Sequence, residues 1–111
     1  MIVIRTSLPR TFFRVWSVSI WPFIFIAPDR ATDTALIAHE KVHGAEQLRQ
    51  LVVIWWLRYL LSSSFRLAAE LRAYKVQISL GGCTVEQAAF WIANIYRLDI
   101  TADKVKELLL K

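Results

Sequence analysis

The sequence predicts an α+β fold, a small N-terminal antiparallel β-sheet packed on three to four α-helices. Three observations carry this. Aromatic and β-branched residues in alternating or short apolar runs are concentrated before residue 28, as strands prefer. Beyond residue 32 the apolar residues recur at helical spacing between helix start and stop signals. The chain has 111 residues, of which 56% are hydrophobic, which points to one domain with a single core. We therefore read residues 1–111 as one domain, β-rich over 1–28 and helical over 32–111. Five Trp and six Phe favour a packed core and leave apolar surface for a partner.

Ile2 to Arg5 is a short strand, and Pro9 and Arg10 fall in a loop. From Trp16 the pattern alternates, with Trp16, Val18 and Ile20 on one side and Ser17 and Ser19 on the other. Pro22 interrupts it at an edge or bulge, and Phe23 to Ile26 continues the strand or forms a second one. Pro28, Asp29 and Arg30 make a turn. Thr32 or Asp33 can cap a helix expected from about 33 to about 60, ended by Ser62, Ser63 and Ser64. In its second half Leu48, Leu51, Val52 and Trp55 share one face. A second helix is expected from about 65 to 79, with Leu67, Leu71, Tyr74 and Ile78 at helical spacing and Gly81 and Gly82 at its end. Thr84 and Gln87 form the signature of a capping box for a third helix. A short last helix follows Thr101, with Val105, Leu108 and Leu109 inward.

The net charge is +5. Such a surface attracts anionic partners, but Lys and Arg are scattered from Arg5 to Lys111 with no run of five. A specific nucleic-acid surface is not expected. The lone Cys83 excludes an internal disulfide, and nothing demands an oxidising compartment. No apolar run reaches the ~18 residues that span a bilayer. Val15 to Ala27, preceded by Arg5, Arg10 and Arg14, loosely imitates a secretory signal, but Pro22, two serines and its strand-like residues oppose that reading.

The chemistry lies in His39-Glu40-Lys41-Val42-His43, which holds both histidines of the chain. On a helix, positions i and i+4 share one face, so two imidazoles can bind one zinc ion. Glu40, rotated by about 100° from His39, can approach a water at the metal without being a ligand, as a general base does. This is the zincin arrangement.

Such a site needs a third protein ligand. The metzincin pattern would place a histidine at position 49, where Arg49 stands. The acidic candidates are Glu46, Glu70, Glu86, Asp99, Asp103 and Glu107. Glu46 shares its helix face with the histidines and cannot easily complete a tetrahedron made by its own neighbours, so it is expected beside the site. Glu70 is the one acid in an apolar stripe with Leu67, Leu71 and Tyr74. An antiparallel helical pair would bring it to the histidines, with Ala69 and Ala73 permitting close approach. A buried acid there needs a compensating partner. Zinc is one, and Arg66 at i−4 is the other.

With Glu70 twenty-seven residues after His43, the chain resembles the gluzincins, zincins whose third ligand is a glutamate on a later helix. Glu70-x-x-Ala73 is also similar to the pairing in peptidases that cleave phage repressors. Trp21-Pro22-Phe23-Ile24-Phe25 through His43, with Phe65-Arg66-Leu67-Ala68-Ala69-Glu70, resembles small metallopeptidases encoded by bacteriophages and prophages. The resemblance covers roughly residues 16 to 80. It implies a zinc metallopeptidase with His39, His43 and Glu70 on the metal and Glu40 as general base. It further implies a protein or peptide substrate, paired with an edge strand drawn from Trp16–Ile20 or Phe23–Ile26, and a place in the host cytoplasm or the virion. The chain departs from larger gluzincins at position 74, where Tyr74 replaces an Asp that orients a ligand histidine. It also has no spare histidine to stabilise an oxyanion, which leaves Tyr59, Tyr74 and Tyr96. The alternative is a small phage-type structural or assembly protein in which zinc staples two helices.

Overall fold

In the computed structural model, which describes residues 1–13 and 15–111, strands β1 (Ile2–Arg5), β2 (Ser17–Ile20) and β3 (Phe23–Ile26) form a sheet in the order β1-β3-β2. Five helices follow: α1 (Thr34–Gln50), α2 (Val52–Leu61), α3 (Ser63–Ser79), α4 (Val85–Ile95) and α5 (Ala102–Leu109). The class is α+β, as expected, but the sheet is mixed. β2 and β3 pair antiparallel, with Ser17 opposite Ile26 and Ile20 opposite Phe23. β1 pairs with β3 in parallel, Ile2 opposite Phe23. Parallel pairing is possible because the connection from β1 to β3 is long and includes β2 itself, which runs the opposite way and brings the chain back so that β3 follows the direction of β1. The expected loop at Pro9 is a π-helical turn, Pro9–Phe13. Arg14 lies outside the described residues. Pro22 sits in the tight turn between β2 and β3, after a cis peptide bond, and not at an edge or bulge.

The alternation in β2 faces the opposite way from a simple apolar-in pattern. Ser17 and Ser19 are buried against α1, and Ile20 is exposed. The cause is α1, whose buried face carries His39, Glu40, His43, Glu46 and Gln47. A polar helix face needs polar partners. Gln47, fully buried, supplies one contact by donating from Nε2 to the Ser19 carbonyl at 2.7 Å and accepting from the Trp21 N–H at 2.7 Å.

The helix starts follow capping chemistry. Asp33, not Thr32, accepts the Leu36 N–H, and Ser62 accepts the Phe65 N–H, so α3 begins two residues before the expected start. Thr84 and Gln87 form the capping box, and Thr101 accepts from Lys104. After α3, Gly81 takes φ 75°, and a Cβ on Gly82 would collide with Ala35.

The helix expected from 33 to 60 is two helices. Leu51 breaks it at φ 67° and ψ 131°, a left-handed backbone that a residue with a Cβ rarely adopts. The break redirects α2 so that Trp55 and Tyr59 turn toward α1 and α3. Strain of this kind costs about 1–3 kcal/mol. Glycine relieves it and gives back about 0.5–1 kcal/mol in chain entropy. Leu51 is 65% exposed, so little packing is lost with it. Leu51→Gly is therefore expected to stabilise by about 1 kcal/mol, read as a raised urea midpoint; a lowered midpoint would show that the turn is not strained.

One apolar cluster joins α3, α4 and α5 through Tyr74, Ala88, Ala89, Ile92, Leu98, Val105 and Leu109. A smaller one joins the sheet to α1 through Ile24, Ile26 and Leu36. Between them α1 and α3 pack closely across Ala69 and Ala73, both fully buried. Among the described residues no helix is long and apolar enough to cross a membrane.

Candidate metal centre

The α1–α3 pair brings His39, His43 and Glu70 together. Glu70 Oε1 lies 3.3 Å from Nε2 of each histidine, and the three candidate ligand atoms all fall within 4.8 Å of one another. All three side chains are buried. Ligands about 2.0–2.1 Å from a metal at tetrahedral angles stand ~3.3 Å apart, which is the separation of Glu70 Oε1 from each histidine. Glu70 Oε1 has no hydrogen-bond partner, and neither has Nδ1 of His39 or of His43. A buried carboxylate oxygen aimed at two imidazole nitrogens, with no other partner, suits a shared cation. The group could hold a metal ion.

Arg66 is not the partner of Glu70. Its guanidinium instead donates to the carbonyls of Tyr59 and Tyr96, at 2.7 and 2.8 Å, tying α3 to the C-terminal ends of α2 and α4. Glu46 is also outside the triad. It accepts from Trp55 Nε1 at 3.2 Å and pairs with Arg72. It is buried beside the site, as expected for an acid on that face.

Four residues around the triad were not expected in the roles they take. Tyr59, a candidate for oxyanion stabilisation, donates its hydroxyl to Glu70 Oε2 at 2.5 Å. Burial and the Glu70 carboxylate push its phenol well above the usual range, so it stays protonated and holds the second carboxylate oxygen. Trp55 packs on His43 at 5.4 Å between ring centroids. Ser17, on β2, donates from Oγ to Glu40 Oε2 at 2.8 Å. Tyr74 packs edge-on against His39 at 4.4 Å. Ligand histidines are usually oriented by a hydrogen bond on the free nitrogen. Here aromatic packing fixes both rings, which accounts for a tyrosine at position 74.

Glu40 Oε2 lies 3.9 Å from His39 Nε2, beside the triad and not in it. Glu40 and His39 line a cavity of about 130 Å³ with Ser17, Leu36, Tyr74 and Tyr96. The Tyr74 and Tyr96 hydroxyls are 2.8 Å apart. Burial, then Glu70, raises both phenols, so both keep their protons. One donates to the other, which leaves one O–H free to donate elsewhere.

Without metal, burial opposes the charge on His43, but the Glu70 carboxylate, with Glu40 and Glu46 behind it, outweighs burial and lifts its pKa to about 9. Burial likewise acts against the Glu70 charge, yet His43 and His39 hold that carboxyl far below its usual range. The sign follows for linkage. A histidine raised in the folded state stabilises the metal-free protein in full below its unfolded pKa near 6.5, and that contribution is lost as pH rises through about 9. Metal affinity moves the other way, because the metal must displace the proton. One divalent ion per chain is expected at neutral pH, with proton release on binding and affinity rising between pH 7 and 9. Calorimetry in buffers of different ionisation heat checks this; binding without proton release would contradict it.

Comparison with family models, with curated proteins and with solved structures finds no match.

Proposed function

We propose that the protein is a zinc metallopeptidase of the gluzincin kind. The observation that carries the reading is the acid beside the triad. Glu40 lies next to three buried ligands and opens on a cavity, and no fourth His, Cys, Asp or Glu joins the group among the described residues. A closed structural site fills all four positions with protein, whereas a catalytic one keeps a position open. Two imidazoles and a glutamate carboxylate are a donor set that zinc takes in catalytic sites. A kinship of residues 16 to 80 with phage and prophage metallopeptidases, and the host cytoplasm or the virion as the place of action, belong to the same proposal.

His39, His43 and Glu70 would hold the ion, and Tyr59 would orient Glu70. Zinc bound there supplies Lewis acidity, which polarises a carbonyl and acidifies water. Glu40 takes the proton of the attacking water and returns it to the leaving amine. Ser17 holds Glu40 toward the cavity. The free phenol of the Tyr74–Tyr96 pair is the donor available to a developing oxyanion.

An extended substrate can add to a free strand edge. Of the two segments expected to serve, β3 is central in the sheet and β2 is the edge strand. Gln47 already occupies the Ser19 carbonyl and the Trp21 N–H. The Ser17 end, beside Glu40, is thus the stretch for a peptide to meet.

The second reading, zinc as a staple between α1 and α3, draws on the size of the cavity. At about 130 Å³ it is smaller than the ~300–1,000 Å³ common for ligand sites. A peptide-library screen of the zinc-loaded chain separates the two. Cleavage that stops on chelation and returns with zinc is expected. No cleavage across broad libraries, with melting temperature still dependent on zinc, would favour the staple.

A further inference from the structure

The outer face of α2 carries an observation that the metal centre does not use. Leu51, Val53, Ile54, Leu57, Leu60 and Leu61 are between 46% and 83% exposed. The inner face of the same helix is spent on the site, through the buried Trp55 and through Tyr59 one turn later. A helix between core and water shows polar residues outward. This one shows six aliphatic side chains instead, and the protein itself does not cover them.

Charge says what does. From Gln47 to Ala69 the chain has no Asp or Glu and three arginines, Arg49, Arg58 and Arg66. Arg49 is exposed at the end of α1. Arg58 stands exposed at the margin of the apolar face, braced by Gln50 at 2.8 Å and stacked over Phe65 at 4.4 Å. The chain as a whole carries +5. A second copy seated on this face would bring like charges together, whereas an anionic lipid surface meets both the arginines and the aliphatic side chains. α2 has ten residues, too few to span a bilayer, so it can only lie in the plane of one.

We infer that α2 is an interfacial helix that docks the protein on an anionic bilayer, its aliphatic face at the level of the acyl chains and Arg49 and Arg58 against lipid phosphates. The metal group, on the other side of α2, then lies about one helix diameter, ~10 Å, from the membrane surface. The inference does not depend on peptidase activity.

Co-sedimentation of the full chain with vesicles of phosphatidylcholine, with and without phosphatidylglycerol, tests it. Binding to the anionic vesicles is expected to be roughly tenfold or more tighter than to the neutral ones, and to weaken with salt. The variant carrying Val53→Ser, Leu57→Ser, Leu60→Ser and Leu61→Ser is expected to lose roughly tenfold or more in vesicle binding with its metal content unchanged. Leu57→Glu, one change at an exposed position, is the second variant should the fourfold one fail to fold. Arg49→Gln with Arg58→Gln should weaken anionic-vesicle binding and flatten its salt dependence. A wild-type chain that ignores anionic vesicles overturns the inference, as does binding that neither apolar variant alters. A dimer in sedimentation equilibrium that Leu57→Glu dissociates, without vesicle binding by wild type, would assign the face to a second copy.

Discussion

Replacing Glu70 by alanine is expected to lower zinc affinity by more than about 100-fold. Loss of an outer partner of a metal ligand alone costs roughly 10–100-fold, and Glu70 is itself the group that faces both histidines at 3.3 Å. Tyr59→Phe should fall within that outer range, because it removes only the hydroxyl that donates to Glu70 Oε2. Glu46→Ala gives the contrast. It deprives the buried Trp55 indole of its acceptor and frees Arg72, which should destabilise by about 1–3 kcal/mol. It leaves the triad whole, so zinc affinity should change little. Competition with a chromophoric chelator, beside urea unfolding of the metal-free proteins, reads the two effects separately. If Glu46→Ala lowers affinity and Glu70→Ala does not, the triad is wrongly assigned.

The three residues of the candidate triad were legible in the sequence for physical reasons that differ. His39 and His43 follow from helical spacing alone. Glu70 follows from an acid in an apolar stripe, which needs a partner wherever the stripe is buried; the structure shows that Arg66 is engaged elsewhere. Tyr59 and Trp55 could not be placed, because their positions depend on the break at Leu51. A leucine carries no local signal for a left-handed backbone, and the apolar pattern runs through it unbroken. Ser17 was hidden by an ordinary assumption, that the apolar side of an alternating strand faces inward. The buried polar face of α1 inverts that, because Glu40 and Gln47 need polar partners there and take them from Ser17 and Ser19 on β2. The parallel seating of β1 was hidden for another reason. Strand direction is decided by the crossover, not by the strand's own residues.

The most informative single change is Glu40→Gln. Gln keeps the shape of the side chain and can still accept from Ser17 Oγ, the contact that holds Glu40 at 2.8 Å. It is not within the triad, so zinc content and melting temperature should stay near wild type. What it lacks is a carboxylate that can take a proton and give it back. If Glu40 is the general base, turnover of an identified peptide should fall at least about 100-fold, the low end for that role, with KM little changed. Ser17→Ala offers the comparison, since it leaves the carboxylate and removes only the group that aims it; its effect should be smaller and should fall mainly on kcat. In a site where zinc is a staple, Glu40 would be a buried acid held by a serine, and neither change would alter a reaction. Equal turnover by wild type and Glu40→Gln at matched zinc occupancy would remove Glu40 from the mechanism. A large loss in Glu40→Gln with zinc retained would separate the chemistry from the metal binding, which no change at His39, His43 or Glu70 can do.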